Sequence, residues 1–522
     1  MAGQIKRDPL VFGNVQQSGH EELAGASPHA VNVIIDGAGA VHRRPAIIGR
    51  DDRDPATLPD SPNTELVSME GPIVGLHSTA KGRVFAIDAP NPSSRIYELA
   101  GHNVYNLSTR PETRIDGGRR PIIAETEAIL AITAGGQPMK VVLGAPAVVS
   151  PLTGNPPVGS HVIAHADRLL MNDVVADNPN FVRYSATASG SSYTGHQSWG
   201  VDTDDLSAGG GFTASARPDP VVAVYENTNE VFVFGTTNLQ IFVANPNPVD
   251  PAKDRIFEPS NAREFGCSAP YSVVRYDQSF GFVDQYRRIM LTDGRDFRCI
   301  SQDIQQTLDD IVSWSDVFGY RVTLGPVDAL CWCSPTDGRT FAYQVPTKSW
   351  SIWQAWNDTT DNFSCWHVRC ATRVPETGEM LVGCAVPDSA GVLGNVYALS
   401  NRAFVDTAGL ESKVVARVDT GFIDRGTSGR KLCRALRLTW RGVPNTDSGY
   451  GGSPSFDASA IIQWRDDGGA WENPRQIDLT PNSETILRSL GVYRRRQWRV
   501  TFSGRNELVL ARAEEEYELL AV

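Results

Sequence analysis

Hydrophobic and polar residues alternate with a period close to two along most of this chain. The runs GRVFAID, NEVFVFG, LQIFVAN, RIMLTDG, RTFAYQV, EMLVGCA and NVYALS are short and rich in β-branched or aromatic residues. Each is bounded by Gly, Pro, Asn or Asp. This pattern predicts strands that bury one face. Turn dipeptides separate many of them: Lys81-Gly82, Gly135-Gly136, Asp293-Gly294, Asp337-Gly338 and Thr377-Gly378. Glycine, asparagine and aspartate supply the positive φ that tight hairpins need. One helix is predicted, in SQDIQQTLDDIVSW, with Ser301 as its cap and Ile304, Leu308, Ile311 and Val312 on one face.

The strand clusters recur. Candidate units begin near Ile73, Ile122, His161, Val221, Val273, Val327 and Val368. Their spacing, about 40 to 60 residues, is near that of the four-stranded blades of β-propellers. The expectation is an all-β chain holding a β-propeller of five to seven blades, six favoured, over residues 61–410. A pair of β-sandwiches is the alternative. Residues 1–60 read as an N-terminal arm with first strands. Residues 411–522, with CRALRLTW, SAIIQW and RQWRVTFSG, read as a C-terminal β-rich platform or sandwich-like domain. In that last run Trp498, Val500 and Phe502 fall on one face. Two Gly- and Ser-rich stretches, 186–215 and 443–457, read as surface loops.

Length and charge narrow the function. A chain of 522 residues can bury a large core. A net charge of −12 argues against broad adhesion to nucleic acid or anionic membrane. The opening MAGQIKRDPLVFGN lacks the apolar core of a signal peptide, and no 18-residue apolar run is present. Synthesis and assembly in a cytoplasm are therefore expected. Cys331 and Cys333 would share a strand face. A metal pair is conceivable there, but small buried apolar residues are the commoner use of such cysteines.

The stretch IIQWRDDGGAWENPRQIDL is similar to the Asp-box of sialidases, Ser-x-Asp-x-Gly-x-Thr-Trp. Only Asp466, Gly468 and Trp471 match it, because Trp464 and Ala470 occupy the Ser and Thr places. The better reading is a hairpin turned by Asp467-Gly468-Gly469, with the Asp466 side chain holding the turn. Asp202, Asp204 and Asp205 alternate as Ca²⁺ ligands can, yet Ser207 and Thr213 stand where an EF-hand loop needs Gly and Glu. Arg494, Arg495, Arg496 and Arg499 sit among aromatics. On a strand they split between faces, and the nearby Glu514, Glu515 and Glu516 are candidate ion-pair partners. G-x-S-x-G elbows, Walker loops and a GxGxxG opening a helix are lacking, so no enzyme, cofactor or metal is expected.

The order of elements resembles one family, the tail hub or nozzle proteins of short-tailed bacteriophages, also called packaged-DNA stabilisation proteins. In SPHAVNVIIDGAGAVHRRPAII, Ala30, Asn32, Arg44 and Pro45 fit the family's opening, although Ala46 replaces a frequent Gly. In 212–248, Pro218, Asp219, Phe234, Gly235, Ile241 and Phe242 fit its Pro-Asp, Phe-Gly and aromatic strand. The segment FGCSAPYSVVRYDQSFGFVDQYRRIMLTDGRDFRCISQDIQQTL and the closing arginine-rich strand pair are similar in the same order. The resemblance implies a non-enzymatic virion part. It would be a ring of six copies on portal and adaptor proteins, with tailspike, fibre or needle proteins around and below. It would close the head after packaging and conduct double-stranded genomic DNA without sequence specificity. A conduit must let the duplex slide, so weak DNA binding is expected, with the 494–499 arginines facing protein. The alternative is a glycan-binding or glycan-depolymerising propeller.

Overall fold

The computed structural model of the chain describes residues 5–10, 12, 30–49, 69, 71–89, 93–100, 103–108, 110–174, 179–188, 192–200, 205–217, 219–245, 255–388, 391–406, 412–443 and 457–520. Pro218, Asp202, Asp204 and loop residues 444–456 lie outside this set.

Among the described residues, six four-stranded sheets stand free, five of them simple antiparallel meanders. Those five begin at Ile73–Ser78, Ile122–Glu125, Val162–His165, Val221–Asn227 and Val274–Tyr276. A further meander of the same order, from Phe318–Leu324 to Ser349–Asn357, opens a ten-stranded sheet. The last blade contains Val368–Arg373, Met380–Asp388 and Gly391–Ser400. Its fourth strand is Ala46–Ile48, from the other end of the chain. The first strands of neighbouring blades pack side by side, and Val368–Arg373 returns to Ile73–Ser78, so the ring closes. This is a β-propeller. Its blades hold together through apolar faces, as where Ala223, Phe232 and Phe234 of one meet Phe280 and Phe282 of the next.

Beside the propeller lies a two-layer sandwich. One layer is the far half of the ten-stranded sheet: Ala30–Val31, Ala416–Asp419, Arg496–Gly504, Ala458–Asp466 and Arg475–Asp478. The other pairs Lys431–Val443 with Glu507–Leu519, flanked by Ile5–Pro9, Val33–Ile35, Val41–Arg43, Glu484–Arg488 and Val492–Tyr493. The alternation in Arg496–Gly504 turns Trp498, Val500 and Phe502 inward against Trp440, Leu438 and Ile462. The N-terminal strands are thus shared between both units. Ala30–Val31 lies parallel to the outer blade strand, with Val31 opposite Ile352, and pairs with the sandwich on its other edge. The chain then crosses to the second layer at Asn32, whose φ of 56° is a left-handed conformation that asparagine tolerates better than most residues.

Three local expectations change. The helix is short: a 3₁₀ turn over Gln302–Ile304 and an α-turn over Gln305–Asp309. Ser301 makes no cap, since its hydroxyl accepts from Ile289 N and donates to Gln305, and Val312 is 83% exposed. The unit placed near Val327 starts one strand earlier, at Phe318. Finally, the 186–215 stretch is not all loop. Gly210–Thr213 forms the outer strand of its blade, and Trp199 is completely buried with Ile129, Val162 and Leu169 between the second and third blades.

Candidate functional site

The residues singled out by their chemistry mostly act as internal joints. Asp467 and Gly468 do turn the hairpin, with φ of 52° and 82°. The Asp466 carboxylate does not hold that turn. It grips Arg496 through two bonds of 2.7 Å across neighbouring strands. The Arg496 side chain is wholly buried among the rings of Tyr493, Trp464 and Trp498. Arg499 pairs with Asp419 at 2.7 Å and lies over Trp471. Of the glutamates expected to serve these arginines, Glu514 meets Arg512, Glu516 meets Arg437 and Arg7, and Glu515 meets Arg425 while its charge also favours the protonated Arg496. Arg494 and Arg495 are exposed.

Basic pairs elsewhere follow the same pattern. Arg43 is buried, and its guanidinium donates to the carbonyls of Gly504 and Asn506; burial pulls its pKa down to about 9. Arg44 bonds Asp406 at 2.6 Å with both side chains almost fully buried. Arg288 is held by Asp284 at the turn of its own blade. Asp205 accepts from the Ser207 amide and hydroxyl, and no metal-ligand cluster exists among the described residues. Cys331 and Cys333 are free thiols buried in the propeller core. Cys365 differs: contact with Cys333 and the Arg369 guanidinium, 3.6 Å away, pull its thiol down to about 6.

The exception is Arg119-Arg120, which the sequence presents only as another basic pair. Arg120 reaches an axial cavity of about 310 Å³ onto which the first strands of six blades converge. They bring His77, Tyr225, Arg275, Tyr320, Arg321 and Cys370, with Arg120 and Tyr271 just ahead of their blade strands. His161 closes one side, stacked on Tyr271 at 5.3 Å and edge-on to Tyr225. Burial forces its pKa down to about 4, so the ring is neutral near pH 7. Three basic side chains at this site have carboxylate partners: His77 with Glu125, Arg275 with Glu226, and Arg321 with Asp328. Arg120 stacks on Phe318 at 3.9 Å and donates to the Arg369 carbonyl, with no carboxylate beside it among the described residues. Burial lowers its pKa, the direction produced by a charge lacking compensation.

No protein-family model and no curated protein matches the chain. Solved structures do align with it. The extracellular domain assigned to a one component system of B. thetaiotaomicron gives a TM-score of 0.41 at 10% identity, over 71% of this chain and 42% of that one. The WD40 β-propeller domain of Doa1 gives 0.35 at 9% identity, over 64% and 95%. PorZ of Porphyromonas gingivalis gives 0.33 at 12% identity, over 80% and 46%. The chain therefore spans less than half the length of the first and third of these. The likeness concerns the fold alone, which the sheet order establishes independently: an all-β propeller carrying an additional C-terminal β-rich domain.

Proposed function

We propose that the chain is a ring-forming hub or nozzle subunit of a short-tailed phage tail. In this reading it attaches below portal and adaptor, closes the head after packaging and forms the conduit for ejection. The reading is supported by where the residues of the family resemblance sit. Asn32 and Arg44 occupy the joint between propeller and sandwich. Asp219 caps the turn after Phe234-Gly235 by accepting from the amides of Thr236, Thr237 and Asn238. These positions do fixed mechanical work inside one subunit, as a part that must keep its shape under the push of a genome requires.

A second reading, a glycan-binding module, rests on a different cavity of about 440 Å³ beside the outer strands of the third and fourth blades. Phe181, Tyr184, Phe212 and Phe257 line it together with Gln240 and Arg255. Aromatic rings beside polar side chains can meet both the faces and the hydroxyls of a sugar.

Electron microscopy of the chain co-expressed with portal and adaptor proteins of a short-tailed phage tests the first reading. Six-fold rings stacked on the adaptor support it. A chain that stays monomeric beside assembled adaptor, and that releases reducing sugar from capsular glycan, overturns it.

A further inference from the structure

We propose that the axial cavity of the propeller binds a small oxyanion of the phosphate type, between the Arg120 guanidinium and the Tyr271 hydroxyl, with the Tyr320 hydroxyl completing the donor set.

Three independent observations lead there. The first is charge. Arg120 has a carbonyl and an aromatic face for neighbours, and the carboxylates around the cavity are already engaged. Glu125 is 2.9 Å from His77, Asp328 is 2.9 Å from Arg321, and Glu226 is 3.7 Å from Arg275. Arg119, next in the chain, adds a second positive charge close enough to act on His161 and Tyr271. Arg120 is part-buried and open to the cavity, so an anion there would supply the counter-charge its guanidinium lacks.

The second observation is hydrogen bonding. The hydroxyls of Tyr271 and Tyr320 are both buried and without a partner, and both residues line the cavity. Buried hydroxyls are nearly always bonded, so an orphan pair around one cavity marks a missing acceptor. Water can satisfy hydroxyls, but it does not neutralise Arg120.

The third is geometry. The donors come from different blades: Arg120 at the second, Tyr271 ahead of the fifth and Tyr320 on the sixth. Donors converging from separate directions suit a tetrahedral oxyanion better than a flat carboxylate, which one guanidinium can satisfy edge-on. The site does not depend on the tail-hub reading.

The test is calorimetric titration of the full chain with inorganic phosphate at pH 7.5, with sulfate, acetate and chloride at matched ionic strength. Phosphate and sulfate should bind saturably and raise Tm, with chloride silent and acetate at least tenfold weaker. Arg120→Gln should weaken phosphate at least tenfold, and Tyr271→Phe severalfold. Tyr271→Phe keeps the ring, so it serves if Arg120→Gln does not fold. A double variant of the exposed pair, Arg494→Gln with Arg495→Gln, should bind as the parent does. Absence of saturable phosphate binding overturns the proposal. So does affinity unchanged in Tyr271→Phe, acetate binding as tight as phosphate, or loss of binding in the 494/495 variant.

Discussion

Arg44 Nε donates to Asn32 Oδ1 over 3.0 Å, and around this contact three parts of the molecule meet. Asn32 Oδ1 also accepts from Gln354 N on the outer strand of a blade, while its Nδ2 donates to the Val415 carbonyl at the edge of the sandwich. Arg44 continues to Asp406, whose other bond goes to Ile47 N in the strand that closes the last blade.

Removing one member should loosen the whole joint. Breaking a buried ion pair on one side typically costs about 3–5 kcal/mol, because the remaining charge is left unpaired. Arg44→Met should therefore lower Tm and split one calorimetric transition into two, propeller and sandwich melting apart. Adding Asp406→Leu should restore most of the loss. A single unshifted transition in Arg44→Met would show that the joint is not held there.

Gly235→Ala should be poorly tolerated although the glycine has no positive φ. A Cβ there would clash with Asp219 Oδ2, in the carboxylate that caps the next turn. Overpacking of this kind usually costs about 1–3 kcal/mol. Asp219→Ala should cost a similar amount by freeing three backbone amides, and the two changes together should cost less than their sum. Chemical denaturation of the three variants reads this directly, and strict additivity would refute the coupling.

Asp466→Ala should destabilise by about 3–5 kcal/mol, more than loss of a turn bond would cost, since it strands the buried Arg496. Asp466→Asn, which keeps an acceptor, should be milder. Equal, small effects of both on the urea midpoint would return Asp466 to the role of a turn residue.

Stability should fall on mild acidification. The unfolded His161 ring takes a proton near its ordinary 6.5, the folded one only near about 4. Between these values the unfolded chain binds more protons, so stability decreases as pH falls through that window. Burial also lowers His165, His196 and His367, which act in the same direction. Guanidinium melts at pH 7 and pH 5 should show the loss, and His161→Gln should reduce it. An identical pH slope in the variant would place the sensitivity elsewhere.

Much of the propeller was legible because blades are local. Ile73, Ile122, Val221 and Val368 open blade strands where the period-two runs begin, and His161 and Val273 miss by one residue. Phe318 was missed because the turns and bends of 310–317, between the short helical segment and its strand, blur the period. The Gly210–Thr213 strand was hidden by its glycines, which carry no side-chain pattern. Ion pairing was read correctly in kind, but of the expected partners only Glu515 acts on one of these arginines, Arg496, and it does so without a direct bond. Glu514–Glu516 are near Arg494–Arg499 in sequence, yet Asp466 and Asp419 face Arg496 and Arg499 across the sheet. The axial cavity had no local signal at all, since Arg120, Tyr271 and Tyr320 come from separate blades.

The strand Ala46–Ile48 has a consequence for how the chain is made. It leaves the ribosome early, but its partner, Gly391–Ser400, is complete only much later. At roughly 5–20 residues per second, that wait lasts on the order of half a minute. Until then the ring is an open crescent with an unpaired edge at each end, and the sandwich still lacks Glu507–Leu519. Nascent chains are thus withheld from any partner that recognises the finished shape, and truncated ones never acquire it.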